Sequence, residues 1–184
     1  MTRVAIIYHS KMGHTKILAE EVAKGVQSVA GAAAEMVFVE QNKIDWALLD
    51  NCDAMIFGSP TYLGNVTGEY KLYFMDASGD AYLNQKWKNK IAAGFTNSHS
   101  ASGDKLTVLI QMAIFAAQQG MIWVGQADKR SGSAPEDINR LGSYLGAMAQ
   151  CDPSLGTVLP PEGDRKTAFN LGKRVAEITA KFKA

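Results

Sequence analysis

Six residues near the amino end, Ser10-Lys11-Met12-Gly13-His14-Thr15, carry side chains suited to phosphate binding. A short apolar run, Val4 to Ile7, ends at Tyr8 just before them, and a helical pattern follows. Strand, tight polar loop and helix is an arrangement that aims backbone N–H groups at a phosphate, because the first N–H groups of a helix have no partner inside it. Neither familiar phosphate fingerprint is present. A Walker loop needs G-x-x-x-x-G-K-[ST], and His14 stands where its lysine belongs; a Rossmann loop needs three glycines, and only Gly13 is there. What remains is Ser10 and Thr15 as hydroxyl donors, Gly13 for close backbone approach, and a helix start. That set suits a terminal monophosphate held without a fixed cation. The same residues also suit a plain strand-to-helix turn with a threonine cap.

Two further loops have comparable chemistry. In SPTYLGN (59–65), Pro60 fixes the turn and restricts Ser59. Thr61 follows it, and Tyr62 and Leu63 offer apolar surface to a flat ring. Gly64 and Asn65 suit an unusual backbone angle. TNSHSASGD (96–104) is small and polar throughout. Its Thr96, Asn97 and Ser98, then Ser102, Gly103 and Asp104, suit the hydroxyls of a ribose or ribityl chain. Each loop alone also reads as an ordinary connection. Other chemistries fit poorly. The three histidines, His9, His14 and His99, come with no G-x-S-x-G elbow. No His or Cys pair has metal-ligand spacing, so no metal site is expected. Tyr8-His9-Ser10 stands where a receiver-type phosphoacceptor would need acidic residues.

These loops must be positioned by the elements between them. VAIIY (4–8), MVFV (36–39), AMIFG (54–58), IAAGF (91–95) and MIWVG (121–125) read as strands, nearly continuous in apolar residues, as in a parallel sheet buried on both faces. Amphipathic helices alternate with them. Leu18, Val22, Val26 and Val29 recur at helical spacing in the first. Leu106, Leu109, Ile110, Ala113 and Ile114 make the stripe of a later one, and Ala168, Leu171, Val175, Ile178 and Phe182 that of the last. Helices are also predicted near Gly68 to Asp76 and near Trp46 to Leu49. Right-handed crossovers turn this alternation into one α/β domain over residues 1–184. Its sheet is a doubly wound, five-stranded parallel sheet of order 2-1-3-4-5 with helices on both faces. In such a sheet ligands bind beyond the carboxyl ends of the strands at the switch point, and the three polar loops follow strands 1, 3 and 4. The irregular stretch Ala127 to Lys166 is long enough to be functional or an oligomer contact, and Glu136 to Met148 is predicted to form a helix.

Composition excludes several classes. The chain has 184 residues, with Lys and Arg totalling 19 against 18 Asp and Glu. That balance gives no basic footprint for nucleic acid and no acidic field for steering a redox partner. Two distant cysteines, Cys52 and Cys151, read as reduced thiols of a cytoplasmic protein. The amino end does not read as a signal peptide, and no membrane span is expected: Leu106 to Val124 is broken by Gln111, Gln118, Gln119 and Gly120. The basic tail KRVAEITAKFKA reads as a solvated helix face.

Taken together, three motifs resemble a known family: V-x-I-I-Y-x-S-x-x-G-H-T, I-F-G-S-P-T-Y-x-G-N, and K-I-A-A-G-F-T-N-S followed by S-G-D. They are similar to those of flavodoxin-like proteins, and more closely to the WrbA family of FMN-dependent NAD(P)H:quinone oxidoreductases. The resemblance runs from about residue 3 to 125 and continues more weakly to the last helix. It implies FMN, with phosphate on Ser10 and on Met12, Gly13, His14 and Thr15. It implies the isoalloxazine ring against Pro60 to Asn65 and the loop Thr96 to Gly103.

It further implies NADH or NADPH as hydride donor, a quinone or similar acceptor, and a homo-oligomer, dimer or tetramer. No side chain is an obligatory catalyst, because the flavin carries the chemistry. Departures from the family pattern fall on the substrate side. Met12 stands where close relatives carry Tyr, and Tyr62 where they carry Arg. Tyr82 replaces a Trp that lines the substrate pocket, Gln119 replaces a His, and the insertion after strand 2 is absent. Two other readings remain open on the residues: a flavodoxin-type electron carrier reduced by a separate partner, and a protein of this fold with a regulatory role or no flavin.

Overall fold

The computed structural model describes residues 1–152 and 159–183. Its sheet is built on β1 (Thr2–Tyr8), β2 (Ala32–Phe38), β3 (Ala54–Pro60), β4 (Ile91–Ser98) and the two-residue β5 (Ile122–Trp123). The strands lie in the order β2-β1-β3-β4-β5, all parallel. This is the predicted doubly wound order, with one addition. A sixth strand, β6 (Ala147–Gln150), pairs in parallel with the carboxyl half of β4, from Phe95 to Ser98, while β5 pairs only with Ile91 and Ala92.

The fifth position of the sheet is therefore shared by two short strands. The MIWVG run predicted as one strand pairs for two residues only. The helix predicted over Glu136 to Met148 does not form. Asn139 and Gly142 take positive φ values of 47° and 68°, which interrupt a helix, and the segment ends in β6. The excursion between β5 and β6 is tied down by polar contacts. Arg140 holds Asp164 through two hydrogen bonds of 2.8 and 2.9 Å, and the Asn139 N–H donates to the Thr167 hydroxyl.

The helices are α1 (His14–Gln27), α2 (Trp46–Asp50), α3 (Gly68–Tyr70), α4 (Gly79–Leu83), α5 (Lys105–Gln118) and α6 (Glu162–Lys183). The helix predicted over Gly68 to Asp76 is broken in character: α3 opens into a π-helical stretch from Lys71 to Met75 and a 3₁₀ turn before α4. In α2 the Asp45 side chain accepts from the Leu48 N–H and satisfies one orphan donor.

Alternation along β1 sends Val4, Ile6 and Tyr8 to one face of the sheet and Ala5 and Ile7 to the other. On the first face they meet Leu18, Val22 and Val26 of α1 and Leu171 and Val175 of α6, members of the predicted stripes, while Phe182 near the end of the last stripe is exposed. On the second they meet Phe57, Phe74, Trp87 and the buried side of α5. That side is Val108, Leu109, Met112, Phe115 and Ala116, which shares only Leu109 with the predicted stripe. Leu106, Ile110 and Ile114 face outward, because a helix apolar almost all round does not reveal its buried face by periodicity. β2 is an open edge, so Met36 and Phe38 are exposed instead of buried on both faces.

Helices α1 and α6 meet backbone to backbone. A Cβ on Gly172 would lie 2.1 Å from the Val22 carbonyl oxygen, and one on Gly25 would lie 1.9 Å from that of Phe169. Gly172→Ala is expected to destabilise the fold by about 2–3 kcal/mol, since neither backbone can yield. Urea denaturation checks it, with a lower midpoint at unchanged slope as the expected outcome.

Candidate functional site

Sheet register sets the site. Tyr8 of β1 lies beside Gly58 of β3, and Ser59 and Pro60 of β3 lie beside Thr96 and Asn97 of β4. The three polar loops therefore leave the sheet side by side. Buried hydroxyls and amides then lock them. The Thr15 hydroxyl donates to Asn97 Oδ1 at 2.7 Å, the Thr61 N–H donates to the Asn97 carbonyl at 2.8 Å, and the Thr61 and Thr96 hydroxyls share a 2.8 Å hydrogen bond. Ser59 Oγ accepts from the Thr67 N–H at 3.0 Å.

Between the loops lies a cleft of about 250 Å³. Its walls are Ser10, Lys11, Met12, His14 and Thr15 on one side and Pro60, Thr61 and Tyr62 on another. Asn97, Ser98, His99 and Cys151 complete it. Gly13, with φ of 87°, starts α1 without a side-chain cap, and a Cβ there would meet nothing within 4 Å. Among the described residues, none accepts a hydrogen bond from the N–H groups of residues 11 to 15. These are orphan donors at the positive end of a helix of 14 residues. The threonine cap of the alternative reading does not form: the Thr15 hydroxyl is spent on Asn97.

The second loop is a tight turn. Tyr62 and Asn65 exchange two backbone hydrogen bonds of 3.0 Å, and Leu63 and Gly64 between them take φ values of 50° and 76°. Two positive φ values in the centre are what a type I′ turn requires. The turn presents Tyr62 to the cleft and holds Leu63 wholly in solvent.

Other predicted residues sit outside the cleft. Thr96 lies beneath its wall, fully buried. Leu63, Gly64 and Asn65 form the rim. Ser102, Gly103 and Asp104 form the turn into α5, where Gly103 and Asp104 take φ of 55° and 53°. Tyr82 and Gln119 line a different, larger cavity of about 820 Å³ between the 65–82 segment and α5, and Asn65 is on its border. Gln119 Nε2 donates to Ser78 Oγ at 2.9 Å, while its Oε1 is buried without a donor.

Charged groups around the cleft include some that sequence reasoning passed over. Lys11 pairs with Glu69 across the rim at 2.9 Å, and His99 with Asp152 at 3.0 Å. Lys105 is 1% exposed, a burial that its place in an SGDK run does not signal. His9 is buried, and its Nδ1 lies 2.8 Å from Thr67 Oγ1, which also accepts from the Tyr70 N–H. Burial lowers its pKa, and the threonine proton on Nδ1 suits a neutral ring. His9 is thus a structural neighbour of the site.

An open parallel α/β sheet with orphan N–H donors and an apolar-walled cleft at the carboxyl ends of its central strands defines a class of nucleotide-binding protein. The residues fit FMN: the N–H groups of residues 11 to 15 and Ser10 could meet a phosphate, and Pro60 and Tyr62 could meet a flat ring. Comparison with known proteins narrows the class. The profile of the family described as NADPH-dependent FMN reductase matches residues 46–128. Flavodoxin FldP of Pseudomonas aeruginosa is 37% identical, with 97% of each chain covered. An NAD(P)H dehydrogenase (quinone) of Geobacter sulfurreducens is 34% identical over 97% of this chain and 98% of its own. The crystal structure of a flavodoxin, WrbA-like protein from Agrobacterium tumefaciens is 33% identical, with a TM-score of 0.79 over 98% of this chain and 99% of that one. The chain belongs to the flavodoxin-like, WrbA-type family of FMN-dependent NAD(P)H:quinone oxidoreductases.

Cys52 and Cys151 are both buried and free. Burial raises both thiols, Cys151 to about 12 and Cys52 in the same direction. Both stay protonated at pH 8, so neither is expected to react with an aromatic disulfide reagent until urea is added. A thiol titration in native and denaturing buffer checks this.

Proposed function

We propose that the cleft holds FMN and that the chain passes hydride from NADH or NADPH to a quinone or similar acceptor. The observation that carries this reading is that, among the described residues, the N–H groups of residues 11 to 15 have no acceptor, in a loop whose Lys11, Met12, His14 and Thr15 line the same cleft as Tyr62 and Ser98. Those N–H groups and the Ser10 hydroxyl would hold the phosphate, with Met12, Gly13, His14 and Thr15 acting through the backbone because the Thr15 hydroxyl is engaged by Asn97. Pro60 to Asn65 and the Thr96 to Asp104 loop would hold the ring and its side chain. Bound FMN supplies hydride acceptance and donation. The residues of this chain bind and orient it, and backbone N–H groups stabilise negative charge on the ring edge. Tyr82 and Gln119 would serve the acceptor side. The Gln119 Oε1, buried next to the 820 Å³ cavity and without a donor among the described residues, would accept from an O–H of the hydroquinone product.

Outward-facing Leu106, Ile110 and Ile114 support a homo-oligomer, a dimer or tetramer, which sedimentation velocity reads directly. Among the described residues no helix is long and apolar enough to cross a membrane, and two buried free thiols favour the cytoplasm. A second reading, a carrier reduced by a separate partner, is favoured by the relative named flavodoxin FldP. Near-neutral charge weighs against it, since a carrier steered to its partner benefits from a strongly acidic face.

The test is anaerobic. FMN-loaded protein is mixed with NADH or NADPH while the visible flavin absorbance is followed. Rapid bleaching reversed by a quinone is the expected outcome. Tight FMN without bleaching favours the carrier. Failure to retain FMN overturns the assignment of all three loops.

A further inference from the structure

Lys105 opens α5 and is 1% exposed, a position lysine almost never takes unpaired. Its ammonium has three N–H donors, and all three are used: on Ser98 Oγ at 2.8 Å, on the Ser100 carbonyl at 2.9 Å and on the Ala101 carbonyl at 2.8 Å. Every acceptor belongs to the loop that leaves β4. The Ser98 hydroxyl in turn donates to the Ser100 carbonyl, so the turn closes around one nitrogen. Gly103 seals the knot, since a Cβ there would lie 2.1 Å from Ser98 Oγ. Ser98 also lines the cleft. The cation is therefore one hydroxyl away from the proposed FMN site.

The charge around it is not neutral. Facing Lys105 are Asp164 of α6, Arg140 of the β5–β6 excursion and the Cys151 thiol after β6. Asp104 and His99 belong to its own loop. Asp164 is already engaged by Arg140 in the two-bonded ion pair and accepts from the Gln150 N–H as well. Arg140, Asp164 and Lys105 thus leave one net positive charge buried behind the cleft wall.

We propose that Lys105 is a positioning residue for FMN: it clamps the 98–101 turn against the cleft and supplies a buried positive charge that favours the anionic cofactor. This rests on the reading that the cleft holds FMN. Burial lowers the ammonium to about 8, so the clamp is charged at neutral pH and loses its charge within an accessible range. The sign for stability runs opposite to the sign for binding. The folded value lies below the unfolded 10.5, so the unfolded chain holds the extra proton and this group's contribution rises as pH climbs from 8 toward 10.5. A buried lysine that spends every donor on residues 98 to 101 is explained by what that turn holds.

The experiment is an FMN titration by flavin fluorescence between pH 7 and 9, where the phosphate remains a dianion. It uses the wild type, Lys105→Met and Ser98→Ala, with the midpoint potential of bound FMN and amide hydrogen exchange of residues 98–104 as further readouts. Wild-type affinity is expected to fall about tenfold across a step near pH 8, the equivalent of one unit in the Lys105 pKa between free and bound chain. Lys105→Met is expected to bind FMN about ten- to hundredfold more weakly at pH 7, without the step, with a lower potential and faster exchange at Ser100 and Ala101. Ser98→Ala should fall between. Should Lys105→Met fail to fold, the wild-type pH step and Ser98→Ala decide. Wild-type affinity flat from pH 7 to 9 overturns the proposal. So does a Lys105→Met protein that loses affinity with the step and the potential unchanged, which would mark a packing role alone. A wild type that retains no FMN overturns the cofactor reading and the charge effect together, and hydrogen exchange then tests the clamp by itself.

Discussion

A 2.7 Å hydrogen bond from the Thr15 hydroxyl to the Asn97 side chain joins residues 82 positions apart in sequence, and the site depends on it. It fixes the first turn of α1 to the end of β4. The Asn97 carbonyl then takes the Thr61 N–H, and Thr61 reaches Thr96. Three loops from three crossovers become one wall without a covalent link. All of these groups are buried, so each unmade bond would leave a polar group in a low-dielectric interior. The geometry is correspondingly over-determined. It leaves the N–H groups of residues 11 to 15 as the donors still free to meet a ligand.

This arrangement follows from parallel strands. A parallel sheet delivers every loop after a strand to the same edge, and crossovers on opposite faces part there. Both faces must then be apolar, as Ile6 and Ile7 of β1 are, each buried on its own side. Polar chemistry is left to the strand ends. Ser59, Thr96 and Asn97 mark where the apolar runs stop, and each is buried and hydrogen-bonded.

That division explains what was legible in the residues and what was not. Strand order and the three loops could be read because composition changes abruptly at Tyr8, Gly58 and Phe95, from continuous apolar runs to small polar residues. The buried face of α5 could not, because Leu106, Ile110 and Ile114 are as apolar as Val108, Met112 and Phe115, and only the packing chooses between them. β6 was hidden for another reason. AMAQ is short and rich in alanine, with no strand preference of its own, and it pairs because β5 ends early and leaves Phe95 to Ser98 without a neighbour on the side away from β3. Lys105 was hidden most completely. A lysine opening a helix reads as solvated, and its burial comes from acceptors that exist only once the 98–101 turn has closed.

The same reasoning locates specificity within the family. The proposed FMN side would be built from backbone N–H groups, buried hydroxyls and a proline, which tolerate sequence change as long as the backbone path is kept. The proposed substrate side would be built from exposed side chains, such as Met12, Tyr62 and Tyr82, whose exposure leaves them little part in the packing of the fold. Of the side-chain departures expected from the resemblance, Met12, Tyr62 and Tyr82 are exposed, and none of the three joins the hydrogen-bonded wall through its side chain. Lys105 belongs with the wall although it carries a charge, because it acts through loop carbonyls and not by contact with a substrate. A change of acceptor can therefore proceed at the rim while the cleft stays the same. That is why chains alike in fold and in cleft can differ in what they reduce.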